Sequence, residues 1–171
     1  MKLLDAAAAL LLAALAGCAS TPEPEPTPNY FVMRHLQKAP GPDPALSEEG
    51  ERAAQRLAAF LNGRRISAIF VSATRRARET AAPLAARLGL TPREYDPADT
   101  PALVARVREE RGPVLVVGHS NTVPDIVEQL GGARPEPIAD DRYGDVWHIR
   151  GSPAATIRMN LEGLGSTGGG S

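Results

Sequence analysis

Tyr30-Phe31-Val32-Met33 is an unbroken apolar run that stops at an Arg34-His35 pair. A short run of this kind reads as a strand buried on both faces, the pattern of a parallel sheet. In open α/β sheets the residue after such a strand stands at the carboxyl edge, where ligands bind. A guanidinium and an imidazole at that edge suit an anion. Two later stretches repeat the design. Ile66 to Val71 ends at Ser72, followed by Arg75, Arg76, Arg78 and Thr80, and Val114 to Val117 ends at Gly118-His119-Ser120-Asn121.

The segments between these strands read as helices and loops. Leu36 to Ala45 is a loop with prolines at 40, 42 and 44. Ser47 is placed as an N-cap, with Glu48, Glu49 and Glu51 near the positive helix end. Ala53, Leu57, Phe60 and Leu61 recur at helical spacing before Asn62-Gly63. A second helix carries Ala77, Ala81, Leu84, Ala85 and Leu88 on one face, with Gly89 as its stop. Pro83 inside it predicts a kink or an early break, because proline removes a helical hydrogen bond. Arg93 to Asp96 reads as a short edge strand. Thr100 is placed as the cap of a third helix with Pro101 at its first position, running to about Arg111 before Gly112-Pro113. Thr122 to Leu130 is a fourth, short helix. Residues 133–144 read as polar loop, and Val146–Ile149 with Ala155–Leu161 as a hairpin around Gly151-Ser152-Pro153. Alternating strands and helices predict a three-layer α/β/α sandwich with a mostly parallel central sheet.

The 171 residues suffice for one domain with a real core, and 43% of them are apolar. Aromatic residues make up only 4%, so that core is aliphatic. The formal charge is -1, and it stays there without residues 1–18, because Lys2 and Asp5 cancel. Such a balance excludes the electrostatic footprint of a nucleic-acid binder. Any anion site must therefore be local. The single cysteine, Cys18, forms no internal disulfide, and no Cys/His cluster has zinc spacing.

The position of Cys18 is informative. Ala6 to Ala16 is an Ala/Leu run too short to span a bilayer and of the size of a signal-peptide core. It ends in Leu15-Ala16-Gly17-Cys18, which resembles the bacterial lipobox, in which the cysteine is lipidated and becomes the mature first residue. Residues 1–18 are thus read as a lipoprotein signal peptide. Residues 19–28 form a proline-rich tether, residues 29–162 the folded domain, and residues 163–171 a Gly/Ser-rich disordered tail. The expected location is the cell envelope, with the domain held outside the cytoplasm on a lipid anchor at Cys18.

Parallel strands bring the three polar segments to one sheet edge. Several arginines, two histidines and two helix starts there make a pocket for a phosphoryl group. With these pieces together, the chain resembles the histidine phosphatase superfamily, of phosphoglycerate-mutase-like fold. The resemblance rests on Val32-Met33-Arg34-His35, Leu46-Ser47-Glu48-Glu49-Gly50, Ser72 to Ala81 and Val116-Val117-Gly118-His119-Ser120, over residues 30 to about 160. It implies a metal-independent phosphatase with no cofactor. His35 would be the nucleophile and form a phosphohistidine. Arg34, Arg76 and His119 would bind the phosphoryl oxygens, with Ser120 as a further contact. Ser120 and Asn121 also read as cap residues, Arg75 and Arg78 as surface charges, and His148 as structural.

The leaving group needs a proton, which a carboxylic acid usually supplies. The resemblance places such an acid just after the strand at Arg93 to Asp96. Asp96 is the first choice, with Glu94 on the same strand face and Asp125 further off. The residue after Arg-His is commonly glycine in the family, and here it is Leu36, placed to narrow the approach to the phosphate or to line the substrate pocket. Gln37 and Lys38 are additional possible contacts. The short chain, without a long insertion over the site, argues against a mutase. The expected substrate is a phosphorylated small molecule or a phosphoprotein. The alternative is a phosphate-binding lipoprotein with little or no catalysis.

Overall fold

The structure, a computed structural model, describes residues 27–162. The signal segment with Cys18, the tether up to residue 26 and the tail from 163 lie outside the described residues. In chain order the elements are β1 (Asn29–Arg34), α1 (Glu48–Leu61), β2 (Ala68–Ser72), α2 (Arg75–Leu88), β3 (Arg93–Tyr95), α3 (Thr100–Arg108), β4 (Val114–Gly118), α4 (Val123–Gln129), β5 (Asp145–Arg150) and β6 (Ala155–Asn160). One six-stranded sheet has the order β3-β2-β4-β1-β5-β6. The first four strands in that order run parallel, and β5 and β6 add an antiparallel hairpin at the other edge. Among the described residues no helix is long and apolar enough to cross a membrane.

Period-2 alternation explains why the parallel strands are apolar throughout. Phe31 and Met33 of β1, Ile69 and Val71 of β2, and Leu115 and Val117 of β4 face one layer. There they meet Ala53 and Leu57 of α1 and Ala77, Ala81 and Leu84 of α2. The intervening Val32, Phe70, Val114 and Val116 face the opposite layer. There they meet Leu103 and Val107 of α3 and Val123, Ile126 and Val127 of α4. Helices thus cover both faces, which is the α/β/α sandwich expected.

Three local expectations are corrected. The helix α2 runs unbroken through Pro83. Buried Ala77, Ala81, Leu84 and Ala85 anchor it on both sides of the proline. Packing of that face outweighs the single backbone bond that proline removes. The cap of α3 is Asp99 rather than Thr100, its carboxylate accepting from Ala102 N at 3.0 Å. That helix also stops at Arg108, before Glu109 and Glu110, whose charges oppose the negative end of the helix dipole.

The start of α1 is pressed against the segment that follows β1. Ser47 N donates to Gln37 O at 2.9 Å, and the Ser47 hydroxyl accepts from Gly50 N at 3.2 Å, as the N-cap reading requires. A Cβ on Gly50 would lie 2.1 Å from the Gln37 carbonyl oxygen. Glycine at position 50 is therefore a demand of backbone proximity, not of dihedral freedom. Gly50→Ala must push the 36–38 segment away, and we expect a loss of about 1–3 kcal/mol, read as a lower urea midpoint with unchanged slope.

Candidate functional site

The carboxyl ends of β1, β2 and β4 converge on one cavity of about 570 Å3. Arg34, His35, Arg76, His119, Ser120 and Asn121 all line it. The sheet register accounts for the central pair. Arg34 is level with Gly118 across β1 and β4, and His35 N donates to Gly118 O at 2.9 Å. The next residue on each strand is a histidine, so the two rings meet edge to face with centroids 5.3 Å apart. A Cβ on Gly118 would meet the Thr122 hydroxyl at 2.9 Å and the Tyr95 hydroxyl at 3.0 Å, so a side chain there would have to displace them.

His35 is buried, and its Nδ1 lies 2.8 Å from Leu36 O. A carbonyl only accepts, so Nδ1 carries the proton and Nε2 keeps its lone pair. Burial pushes the His35 pKa down to about 3 against the opposing pull of the Leu36 carbonyl, and Arg76, His119 and Arg34 push it the same way as burial. The ring is therefore neutral at pH 7, with Nε2 as a free nucleophilic atom. Thr80 fixes the backbone beyond it: its hydroxyl accepts from Leu36 N at 3.0 Å and donates to Arg76 O at 2.8 Å. The Leu36 side chain is fully buried in the core under α1 and α2 and is not among the cavity's lining residues. It neither narrows the approach nor lines the pocket, because the chain turns its side chain inward. Lys38 lines the cavity and Gln37 does not.

His119 is held in the complementary tautomer. Arg76 Nη2 lies 3.3 Å from His119 Nδ1, and arginine only donates, so Nδ1 accepts and Nε2 carries the proton. That proton goes to Ser72 Oγ at 2.8 Å, and Ser72 is in turn 3.1 Å from the Thr74 hydroxyl. Burial, with Arg76 and Arg34 as nearby cations, lowers the His119 pKa to about 4. Arg76 also approaches Asp43 at 3.7 Å. The Asp43 carboxylate accepts from Arg75 N at 2.9 Å, so it caps α2 in place of Thr74, which makes no capping bond. Nothing in the sequence marks Asp43 for this, since it reaches α2 from a loop 32 residues earlier.

Arg34 does two things. Its Nη1 donates to the carbonyls of Ala139 (2.8 Å), Asp140 (3.0 Å) and Arg142 (3.1 Å). Its guanidinium lies 4.3 Å from the Tyr143 ring centroid, and that ring is 6.1 Å from His35. The 139–143 segment, read from sequence only as polar loop, is thereby tied to the site. The Nε atoms of both Arg34 and Arg76 are buried without a hydrogen-bond partner in the protein, a donor set suited to an anion.

The acids stand apart. Among the described residues no carboxylate lines this cavity, although Asp43 approaches Arg76 at 3.7 Å and Asp140 approaches Arg34 at 3.9 Å. Asp96 is exposed, with Oδ1 accepting from Ala98 N at 2.9 Å. Glu94 pairs with Arg78 at 3.0 Å, and Asp125 pairs with Arg134 at 2.5 Å. His148 is stacked on Phe31 with ring centroids 4.1 Å apart and lies 2.8 Å from Asn29 Oδ1, within the sheet. Among the described residues no group of three or more His, Cys, Asp or Glu side chains could hold a metal ion.

Residues 33–98 match the model of the histidine phosphatase superfamily (branch 1). The protein histidine phosphatase SixA, solved with tungstate, is 20% identical; the alignment covers 80% of this chain and 99% of that one, with a TM-score of 0.66. This is a histidine phosphatase fold. A mycobacterial glucosyl-3-phosphoglycerate phosphatase is similar at 17% identity, over 78% of this chain and 97% of that one, with a TM-score of 0.59. A structure described as mycobacterial hydrolase 1 is 15% identical over 77% and 96% of the two chains, with a TM-score of 0.60. No curated protein matches at the level of sequence. In this histidine phosphatase fold the family match spans Arg34, His35 and Arg76 but ends before His119. His119 joins them through the pairing of β4 with β1.

Proposed function

We propose that the chain is a phosphatase working through a phosphohistidine on His35. One observation carries this reading: a neutral, buried His35 presents its free Nε2 in a cavity that Arg34, Arg76 and His119 share. Nε2 attacks phosphorus, the bond from phosphorus to the leaving atom breaks, and the leaving group takes that electron pair. Water then attacks the phosphohistidine, and inorganic phosphate leaves as the P–N bond breaks. Arg34 and Arg76 offset the charge on the equatorial oxygens, which is most of what phosphoryl transfer asks of a protein.

Because no carboxylate lines the cavity, this reading favours leaving groups that depart without a carboxylic acid's proton, such as aryl oxides or the imidazole of a phosphorylated histidine. The fold shared with a protein histidine phosphatase is consistent with that class of substrate. The same absence of a lining carboxylate among the described residues gives the competing reading, phosphate binding without turnover. Labelled aryl phosphate should leave phosphate on the protein in a bond stable to alkali and lost in acid. Its turnover should rise steeply as the leaving group becomes less basic. Phosphate binding with no label and no turnover would sink the enzymatic reading. The Cys18 lipobox supports placing this activity in the cell envelope, on a lipid anchor.

A further inference from the structure

Arg34 is buried, and one end of its guanidinium is already taken. Nη1 carries two hydrogens and meets three carbonyl oxygens, those of Ala139, Asp140 and Arg142, at 2.8, 3.0 and 3.1 Å. Nothing on Nη1 is left for a phosphoryl oxygen. Nη2 lies 3.5 Å from the Tyr143 hydroxyl and 3.9 Å from the exposed Asp140 carboxylate, both longer than a good hydrogen bond. Nε is buried and has no hydrogen-bond partner in the protein.

The turn that supplies the carbonyls is anchored at its far end. Arg142 N donates to Ala139 O at 3.0 Å, which closes the turn. The buried Asp145 carboxylate then pairs with Arg142 at 3.0 Å and Arg158 at 3.1 Å, and accepts from Asn160 Nδ2 at 2.9 Å. Tyr143 stands between that anchor and Arg34. The Arg34 guanidinium lies 4.3 Å from its ring centroid, and the ring is 6.1 Å from that of His35, tilted by 50°. Tyr143 is not among the residues lining the cavity, so its route to a phosphoryl group runs through Arg34.

We propose that Tyr143 is a positioning residue: with the carbonyls of the 139–142 turn it fixes the Arg34 guanidinium so that the Nε and Nη2 edge, not the Nη1 end, takes the phosphoryl oxygens. This rests on the phosphatase reading and specifies which atoms hold the phosphoryl group. A guanidinium gives two oxygens two parallel donors only along an edge. The carbonyls close the edges that include Nη1. The aromatic face attracts the cation and keeps its plane from rolling. A loosened Arg34 would keep its charge and lose that alignment.

Two measurements on the full chain test this without turnover. One is calorimetry with inorganic phosphate. The other is the proton–nitrogen spectrum of the arginine Nε groups, in which Arg34 is assigned by the signal lost in Arg34→Lys. In the wild type, phosphate is expected to move the Arg34 Nε signal. Tyr143→Phe keeps the ring and loses only a hydroxyl at 3.5 Å, so its affinity should stay within about twofold of wild type. Tyr143→Leu keeps bulk without an aromatic face. It should bind phosphate about tenfold more weakly, with the Arg34 Nε signal broadened. Tyr143→Met gives the same comparison if the leucine variant folds poorly. Wild-type affinity in the leucine or methionine variant overturns the positioning role. A loss in Tyr143→Phe as large as in Tyr143→Leu also overturns it, and assigns the effect to the hydroxyl. Phosphate bound with no shift at Arg34 Nε overturns the choice of edge. Failure of the wild type to bind phosphate overturns the phosphatase reading itself, and the positioning role with it.

Discussion

Replacing His35 with alanine is expected to lower kcat by roughly 10^4-fold or more and to abolish the phosphoenzyme. The expectation follows from the atom removed. Among the described residues Nε2 is the one imidazole lone pair in the cavity without a partner, since His35 Nδ1 gives its proton to Leu36 O and His119 Nδ1 accepts from Arg76. Alanine keeps the backbone bond from position 35 to Gly118 O, so the sheet edge stays paired. A variant that still turned over aryl phosphate at the wild-type rate would remove His35 from the chemistry. The pH dependence gives a second reading of the same residue. On the proposed mechanism the nucleophile is lost when His35 gains a proton, and the His35 pKa is lowered to about 3, with His119 lowered to about 4. The kcat/KM profile reports the free enzyme. After correction for the substrate's own ionisation, its acid limb should therefore lie near pH 3–4, well below the ordinary histidine value. A limb near pH 6.5 would mean that the ring is not held in this buried, cationic setting.

Arg76→Ala is expected to reduce kcat/KM by roughly 10^2 to 10^3 and to weaken inhibition by inorganic phosphate. The Arg76 side chain is only 21% exposed, and its Nε is buried without a protein partner. Its loss removes an oriented fork of donors, not only a charge. It also removes a cation that depresses the pKa of both histidines, so the acid limb of the profile should move upward. Arg76→Lys separates the two effects. The ammonium restores most of the charge, and with it the low acid limb, but it cannot hold two oxygens in a plane. It should recover only part of the rate. Full recovery in the lysine variant would mean that charge alone matters at this position.

The strands were readable because both of their faces are covered. Each then appears as an apolar run closed by a polar residue, as at Val32-Met33-Arg34 and Val116-Val117-Gly118. Ordering along the chain and the parallel pattern were enough to bring Arg34, His35, Arg76, His119 and Ser120 to one edge. The sequence was a poor guide where position depends on side-chain direction or on a contact between distant loops. Leu36 follows the Arg-His pair but its side chain packs into the core, while the Thr80 hydroxyl holds its amide. Asp96 stands just after the end of β3, yet its carboxylate is exposed and accepts from the amide of Ala98. Asp43 and Tyr143 lie in segments without periodicity, and only the folded backbone brings them to Arg76 and Arg34. The sequence carried the Pro83 signal correctly as a local cost. It could not show that the buried face of α2 would outweigh it.

The pairing of β1 with β4 also sets how this site can vary. His35 and His119 follow directly on neighbouring strands, so their separation is measured by one inter-strand step of about 4.8 Å. No loop contributes to that ruler. The connection from Gly89 to Pro113, with β3 and α3 inside it, could lengthen or shorten without moving one histidine relative to the other. A single-residue slip of β4 against β1 would instead put His119 on the wrong side of the sheet. The site is thus insulated from insertions and exposed to register, and chains with very different outer segments can keep the same pair of histidines in place.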